Sequence, residues 1–339
     1  MKTSNLVSKY NILFFIILIV LIAFPFVADS RTLTILLTQI FIFSILAMSY
    51  DILLGYTGIV SFGHAMFFGI GAYVTAIMLN TFEATIPVFI GSILLGILLS
   101  ALVSFFVGLL TLRLKSHFFA MLTLAISGLL LVVAEKWRTV TKGNDGITFR
   151  APDIFKDRIV FYFCVLACLV IVFLLLRRFV QSPLGRVLIA VRENEQRTRS
   201  LGFKTLHYKV ISSVVAGVVA SLAGSLYAVS LRFVNTSVMT MDITLDALLM
   251  TIIGGVGTLI GPIVGSVVIE FAQHYLSGLA RDFPIFERWI IFFGIIYILA
   301  VVFFPKGIVG SIQQALTKWK IKRENNRTFA LQKDKERSS

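Results

Sequence analysis

Three ionisable side chains stand inside otherwise apolar stretches: Asp51, His64 and Glu270. Such groups are costly in a hydrophobic setting, so each is a candidate functional residue. Asp51 precedes Gly55 by one helical turn and is placed to cap or pair at the end of its helix. His64 follows a glycine-rich entry, and Glu270 lies deep in a long apolar run. Helix packing accounts for each of them as well. They form no acid–base pair, and no Cys-His or Ser-His-Asp arrangement accompanies them. Cys164 and Cys168 sit four apart without a neighbouring His or acid, which reads as two small inert hydrophobes and neither a metal site nor a disulfide. No G-x-x-x-x-G-K-[ST] phosphate loop occurs. The run Gly255-x-Gly257-x-x-x-Gly261 misses the dinucleotide pattern by one residue and lies in apolar sequence. Catalysis, a cofactor and a metal are therefore not expected.

The elements that hold these residues are membrane helices. The chain is 58% hydrophobic and 14% charged, where a soluble domain carries roughly a quarter charged residues. Apolar runs near 11–28, 33–54, 61–80, 86–112, 117–134, 159–176, 208–231, 246–276 and 289–304 are the candidate spans. Most reach the ~20 residues that cross a bilayer as helix. No ten-residue alternation appears, which argues against a β-barrel. Residues 11–28 read as an uncleaved first helix, because no small-x-small cleavage site precedes the next run.

The net charge of +14 is localised. Arg177, Arg178, Arg186, Arg192, Arg197, Arg199 and Lys204 fall in one loop, 177–207, and nine more basic residues lie from Lys306 onward. Basic clusters beside apolar spans mark the cytoplasmic side, and no aromatic-interleaved groove suggests nucleic acid. Lys2 and Lys9 place the N-terminus inside, Glu83 outside, and Arg113 with Lys115 inside. The 135–158 loop, with six basic and four acidic residues, is permitted outside without being directed there. Nine simple crossings would leave the basic tail outside. The conflict disappears if 246–276 enters and leaves the membrane, with a break at Gly254, Gly255, Gly257, Gly261 and Pro262. The expected fold is thus an all-α polytopic transmembrane bundle of about nine to ten segments. It comprises a transmembrane domain over 1–310 and a charged, partly disordered cytoplasmic tail over 311–339, with Trp319 as an interfacial anchor.

Two motifs carry the functional reading. Gly55–Tyr73 holds five glycines and His64 between long apolar runs. Glycines let a helix or a substrate approach the backbone closely, and an interrupted helix start can line a cavity. Gly55, Tyr56, Thr57, Gly58, Ser61, Gly63 and His64 are the candidate residues of a translocation path. In the loop, Gly185 and Gly202 bracket a run free of Pro and Gly, apolar in its first half and dense in mixed charge in its second. It is long enough for a short helix over 186–202; an ordinary basic interfacial helix is the plainer reading.

The order of residues in Gly55–Tyr73 closely resembles the signature segment of inner-membrane permease subunits of branched-chain amino-acid ABC importers, of the larger subunit type. Phe118–Leu124, Gly143–Ile147 and Gly254–Gly265 match as well, so the resemblance covers about 33–305. It implies that 186–202 is the segment that docks into the ATPase, with Ala190, Glu193 and Leu201-Gly202 matching the A-x-x-E…G pattern. Thr198 stands where this branch more often has Ala. Arg192, Glu193, Asn194 and Glu195 are then expected at the ATPase contact, with Gly202 turning the chain back to the membrane.

The resemblance further implies a non-enzymatic subunit working with ABC ATPases, a second permease and an extracytoplasmic substrate-binding protein, in the cytoplasmic membrane with both termini inside. Leucine, isoleucine and valine are the expected substrates. Urea and short-chain amide importers use close relatives of the same subunit. A self-sufficient secondary transporter is the other class, disfavoured because its coupling-ion site usually needs intramembrane carboxylates or unwound carbonyls.

Overall fold

The computed structural model describes residues 19–26, 30–112, 116–282, 294, 298 and 307–311. Lys2, Lys9, Arg113, Lys115, most of the 11–28 and 289–304 runs, and the tail with Trp319 lie outside these residues. Residues 19–26 form α1, and α2 (Arg31–Asp51) follows. A π-helical turn, Ile52–Thr57, extends α2 to a continuous helix of 27 residues. Next come α3 (Ala65–Thr81), α4 (Ile86–Thr111) and α5 (Ser116–Lys136), then a single turn α6 (Arg138–Thr141). Helix α7 (Arg158–Gln181) leads through α8 (Pro183–Glu193) and α9 (Glu195–Ser200) to α10 (Thr205–Leu231). The described chain closes with α11 (Met241–Gly254) and α12 (Ile260–Asp282), and residues 307–311 are helical.

Five of these helices are long and apolar enough to cross a membrane. At 17 residues, α3 spans only about 25 Å as helix. The helices divide by what surrounds them. From Ile40 to Leu53 every side chain of α2 and its π continuation is buried, so α2 is the central post, packed by α7, α10, α11 and α12. On α4, Ile90, Leu94, Leu98, Leu102, Phe106 and Leu110 are all exposed at a spacing of four. That row is a continuous apolar stripe along one helix face, suited to lipid.

Small residues set how closely the helices approach. Ser100 Oγ donates to the Gly217 carbonyl at 2.7 Å, and the Ser104 and Ser213 hydroxyls lie 3.0 Å apart, joining α4 to α10. A side chain at Gly71 would overlap the Ser221 backbone, and one at Gly224 would overlap the Phe68 carbonyl, so α3 and α10 touch backbone to backbone.

The 177–207 segment differs from its expected shape. Helix α7 runs on to Gln181, so Arg177 and Arg178 sit on its last turns rather than in a loop. Ser182 ends it, because the residue before a proline is disfavoured in helical conformation. The Ser182 hydroxyl then accepts from the Gly185 N–H and caps α8, with Pro183 in its first turn. The single helix expected over 186–202 is two, bent at Asn194, where φ is −160°. Two antiparallel two-residue strands, β1 (Ile147–Thr148) and β2 (Phe233–Val234), tie the α6–α7 connection to the α10–α11 connection. Thr236 Oγ1 adds a 2.8 Å bond to Asn144.

Candidate functional site

The glycine-rich stretch is not a helix start but a return loop. The π turn ends at Gly58, whose φ of 73° is left-handed and accommodates glycine without strain. Residues 58–64 then run back beside the last turns of α2. Ile59 N–H donates to the Leu53 carbonyl at 2.9 Å, and the Tyr50 hydroxyl donates to the Ser61 carbonyl at 3.0 Å. Neighbouring helices supply the remaining partners: Phe62 N–H donates to Thr123 Oγ1 of α5 at 3.3 Å, and Ala65 N–H donates to Thr244 Oγ1 of α11 at 2.9 Å. Irregular backbone at membrane depth persists where protein satisfies it in this way. Gly63 makes the loop's closest approach, because a side chain there would overlap the Thr123 carbonyl.

His64 is fully buried, with Nε2 2.8 Å from the Ser49 hydroxyl and its ring edge-on to Tyr50 and Phe67. Its Nδ1 has no hydrogen-bond partner among the described residues. Of the seven path candidates, Gly58 is exposed, whereas Gly55, Tyr56, Thr57, Ser61, Gly63 and His64 are buried. Gly55, Tyr56 and Thr57 close the π turn, and Gly58, Ser61, Gly63 and His64 lie on the return loop that links it to α3, α5 and α11. Glu270 is buried on α12, one turn beyond Ser266, whose hydroxyl meets that of Ser44 on α2.

The second irregularity is the tip between α11 and α12. Helix α11 stops at Gly254 and α12 starts at Ile260, and the two fold back as a hairpin. A Cβ at Gly265 would overlap the Met250 carbonyl, and one at Gly254 would overlap the Gly261 carbonyl. Gly255, Gly257 and Leu259 have φ of 130°, 77° and 55°. Thr258 Oγ1 accepts from the Gly261 N–H at 2.9 Å, which caps the start of α12 beside Pro262. Gly307 packs against Gly255, so the chain entering the tail sits at the same end of the bundle as the tip.

Asp51 joins the two irregular turns. Its carboxylate accepts from Gly257 N–H at 2.7 Å and from Leu259 N–H at 3.2 Å, satisfying amides that the hairpin turn leaves free. Gly55 has no room for a side chain between Asp51 and the Gly257 backbone. The sequence marked Asp51 as a helix-end cap; the group it caps instead belongs to residues over two hundred positions away.

The α8–α9 segment lies at this same end. Gly185, Leu188 and Val191 form the buried face of α8, while Ala190, Arg192, Glu193 and Asn194 are exposed. The Arg192 guanidinium turns toward the membrane helices and donates to the Gly55 carbonyl. Asn194 Oδ1 accepts from Arg197 N–H at 2.8 Å and caps α9. Glu195 is committed within the chain as well. Its carboxylate accepts from Lys209 Nζ at 2.6 Å, from Thr205 Oγ1 at 3.1 Å and from Arg199 at 3.1 Å. Gly202 turns the chain with φ 89°.

Partial burial works to raise the Glu195 carboxyl, but Lys209, with Thr205 and Arg199, holds it below the ordinary carboxylate range. A group depressed on folding contributes stability that is present above its unfolded value and lost as pH falls through its folded value. Glu195→Ala should therefore loosen α9 from α10 by about 1–3 kcal/mol, since it strands the nearly buried Lys209 ammonium. Amide exchange across α9 should speed up in the variant, and in the wild type on acidification into that range. Unchanged exchange in the variant would show the pair to be idle.

Sequence reasoning did not find Ser49, Thr123, Thr244, Lys209 or Gly307. Each acts through a contact made only by the folded bundle, and a lone Ser or Thr in an apolar helix gives no signal. Among the described residues, no group of three or more His, Cys, Asp or Glu could hold a metal ion.

Residues 32–301 match the family described as "Branched-chain amino acid transport system / permease component". The chain is 25% identical over 329 residues to the high-affinity branched-chain amino acid transport system permease protein LivM of Salmonella typhimurium, covering 89% of this chain and 75% of that one. It is 24% identical over 314 residues to the probable branched-chain amino acid transport permease protein LivM of Methanocaldococcus jannaschii, covering 79% and 90%. A shorter similarity, 28% over 148 residues, joins it to the autoinducer 2 import system permease protein LsrC of Photorhabdus laumondii, covering 42% and 43%. No solved structure matches the chain significantly.

Proposed function

The chain belongs to the branched-chain amino acid transport system permease family, and from that premise we propose that it is the larger membrane-spanning subunit of an ABC importer for leucine, isoleucine and valine. The observation that carries this reading is the family match over 32–301, which takes in both irregular turns and the α8–α9 segment between them. The names of the LivM relatives favour branched-chain amino acids over urea or short-chain amides.

The subunit hydrolyses no ATP of its own, since its sequence has no phosphate loop. Energy comes from a pair of ATPase subunits, and a second permease completes the pathway. An extracytoplasmic binding protein delivers substrate and supplies most of the selectivity. The basic residues of α8, α9 and the tail support a cytoplasmic position for that end of the bundle. Contact between Gly307 and Gly255 supports a tail on the same side as α8.

On this reading the exposed Ala190, Glu193 and Asn194 form the ATPase contact, anchored from below by Leu188 and Val191. Arg192 and Glu195, both engaged within the chain, contribute by holding that segment in place. The return loop 58–64 borders the translocation path, where Gly63 and the other small residues leave the two permeases room to change packing. ATP-driven movement of the ATPases then biases the equilibrium between outward- and inward-facing arrangements.

The substrate class is tested in proteoliposomes holding the complete complex and its binding protein. Uptake of leucine, isoleucine and valine is expected, with urea at background. Urea uptake without branched-chain uptake would move the protein to the other substrate class.

A further inference from the structure

We propose that Arg192 is a positioning residue that ties α8 to both irregular turns, so that a displacement of α8 moves the π turn and the α11–α12 tip together. The inference rests on the reading of α8 as the ATPase-facing segment and adds to it the route by which that segment acts on the membrane helices.

Three contacts of one side chain carry it. The guanidinium donates to the carbonyl of Gly55, one of the last carbonyls of the π turn. The stem of Arg192 crosses the face of Gly58; a Cβ there would lie 2.7 Å from Arg192 Cγ, and the φ of 73° already requires glycine. The same guanidinium closes on the hairpin tip, where a Cβ at Gly257 would lie 3.1 Å from Arg192 Nη1. Asp51 completes the junction. It accepts from the Gly257 and Leu259 amides and its charge attracts Arg192. Tyr56 lies within electrostatic reach of both charges.

The geometry is unusual for an arginine on the exposed side of an amphipathic helix. Such a residue ordinarily points its charge to water or a partner, yet here its charge serves backbone groups of the membrane domain. Both turns it touches depart from regular α-helical geometry, so they deform more easily than continuous α-helix. Gly55, Gly58 and Gly257 are the points where a side chain would push Arg192 or Asp51 away, which gives those three glycines a common purpose. A shift of α8 therefore has a polar, geometrically fixed connection to two deformable turns, besides its apolar seat at Leu188 and Val191.

The test uses the complete complex in proteoliposomes. Arg192→Gln removes the charge and Arg192→Lys keeps it on a different head group. Uptake per ATP hydrolysed is measured alongside the maleimide-labelling rate of Val256→Cys, at the exposed hairpin tip, with Cys164 and Cys168 replaced by Ala. In the parent complex, ATP should change the labelling rate. In Arg192→Gln, ATP hydrolysis should persist while uptake per ATP falls about tenfold and labelling no longer responds to ATP. Arg192→Lys should recover part of both.

A merely structural Arg192 would lower the yield of folded complex and leave both ratios unchanged in what survives. That result, or wild-type ratios in Arg192→Gln at full yield, would overturn the proposal. Failure of the parent complex to transport at all would instead count against the functional reading on which it rests.

Discussion

Replacing Gly63 with Leu is expected to abolish uptake, while replacing Gly128 with Leu leaves it near the parent level. Both positions lie against or within α5, and the substituted side chain is the same, so its hydrophobicity does not separate them. Space does. A Cβ at Gly63 overlaps the Thr123 carbonyl and comes within 2.9 Å of its carbonyl carbon, with Ser127 at 3.3 Å. At Gly128 nothing lies within 4 Å. Backbone is the least yielding neighbour, because relieving the overlap means moving α5 off the return loop. That would break the Phe62–Thr123 hydrogen bond as well. Overpacking of this kind costs about 1–3 kcal/mol or more.

Gly71→Leu should behave like Gly63→Leu, since it meets the Ser221 backbone on α10. Uptake is read per inserted molecule, and the Gly128 variant controls for insertion. Parent-level transport in both Gly63→Leu and Gly71→Leu would show that close approach at these positions does not matter to function.

Those two glycines also show where the sequence was informative. A cluster of small residues between apolar runs announces close contact, whichever helix provides the partner. The break at Gly254–Pro262 was legible for a different reason: the charge pattern called for an extra crossing, and that run held a dense cluster of Gly ending in Pro262 to make one. The all-α membrane architecture followed from composition and run length alone. What escaped was every feature fixed by long-range contact. The π turn at Ile52–Thr57 follows a run of good helix formers and is stabilised by its surroundings, among them Asp51, Arg192 and the hairpin tip. Helix α3 begins at Ala65 rather than near Ser61 because the preceding backbone finds its partners on α2, α5 and α11.

The cytoplasmic-type loop was legible in part. Its position, its apolar first half and the turn at Gly202 could be read from residue order. The roles of its charges could not. Arg192 and Glu195 look alike in sequence to Glu193 and Arg197, as members of one mixed-charge run. In the fold Arg192 reaches Gly55, and Glu195 reaches Lys209, fourteen residues on, whereas Glu193 stays exposed. This changes how docking should be probed. Reversing Glu195 would damage the α9–α10 junction as well as any contact with a partner, so Glu193 is the residue whose reversal reports on docking alone.

The central claim is that this chain transports only as part of an ATP-driven complex. Leucine flux into proteoliposomes, measured side by side for the purified subunit alone and for the complex with its ATPases, second permease and binding protein, tests it most directly. The lone subunit is expected to give no flux and no ATP hydrolysis, and the complex to take up leucine only when ATP is within reach of the ATPases. Steady, saturable leucine flux through the lone subunit without ATP would contradict it and make the protein a self-sufficient transporter.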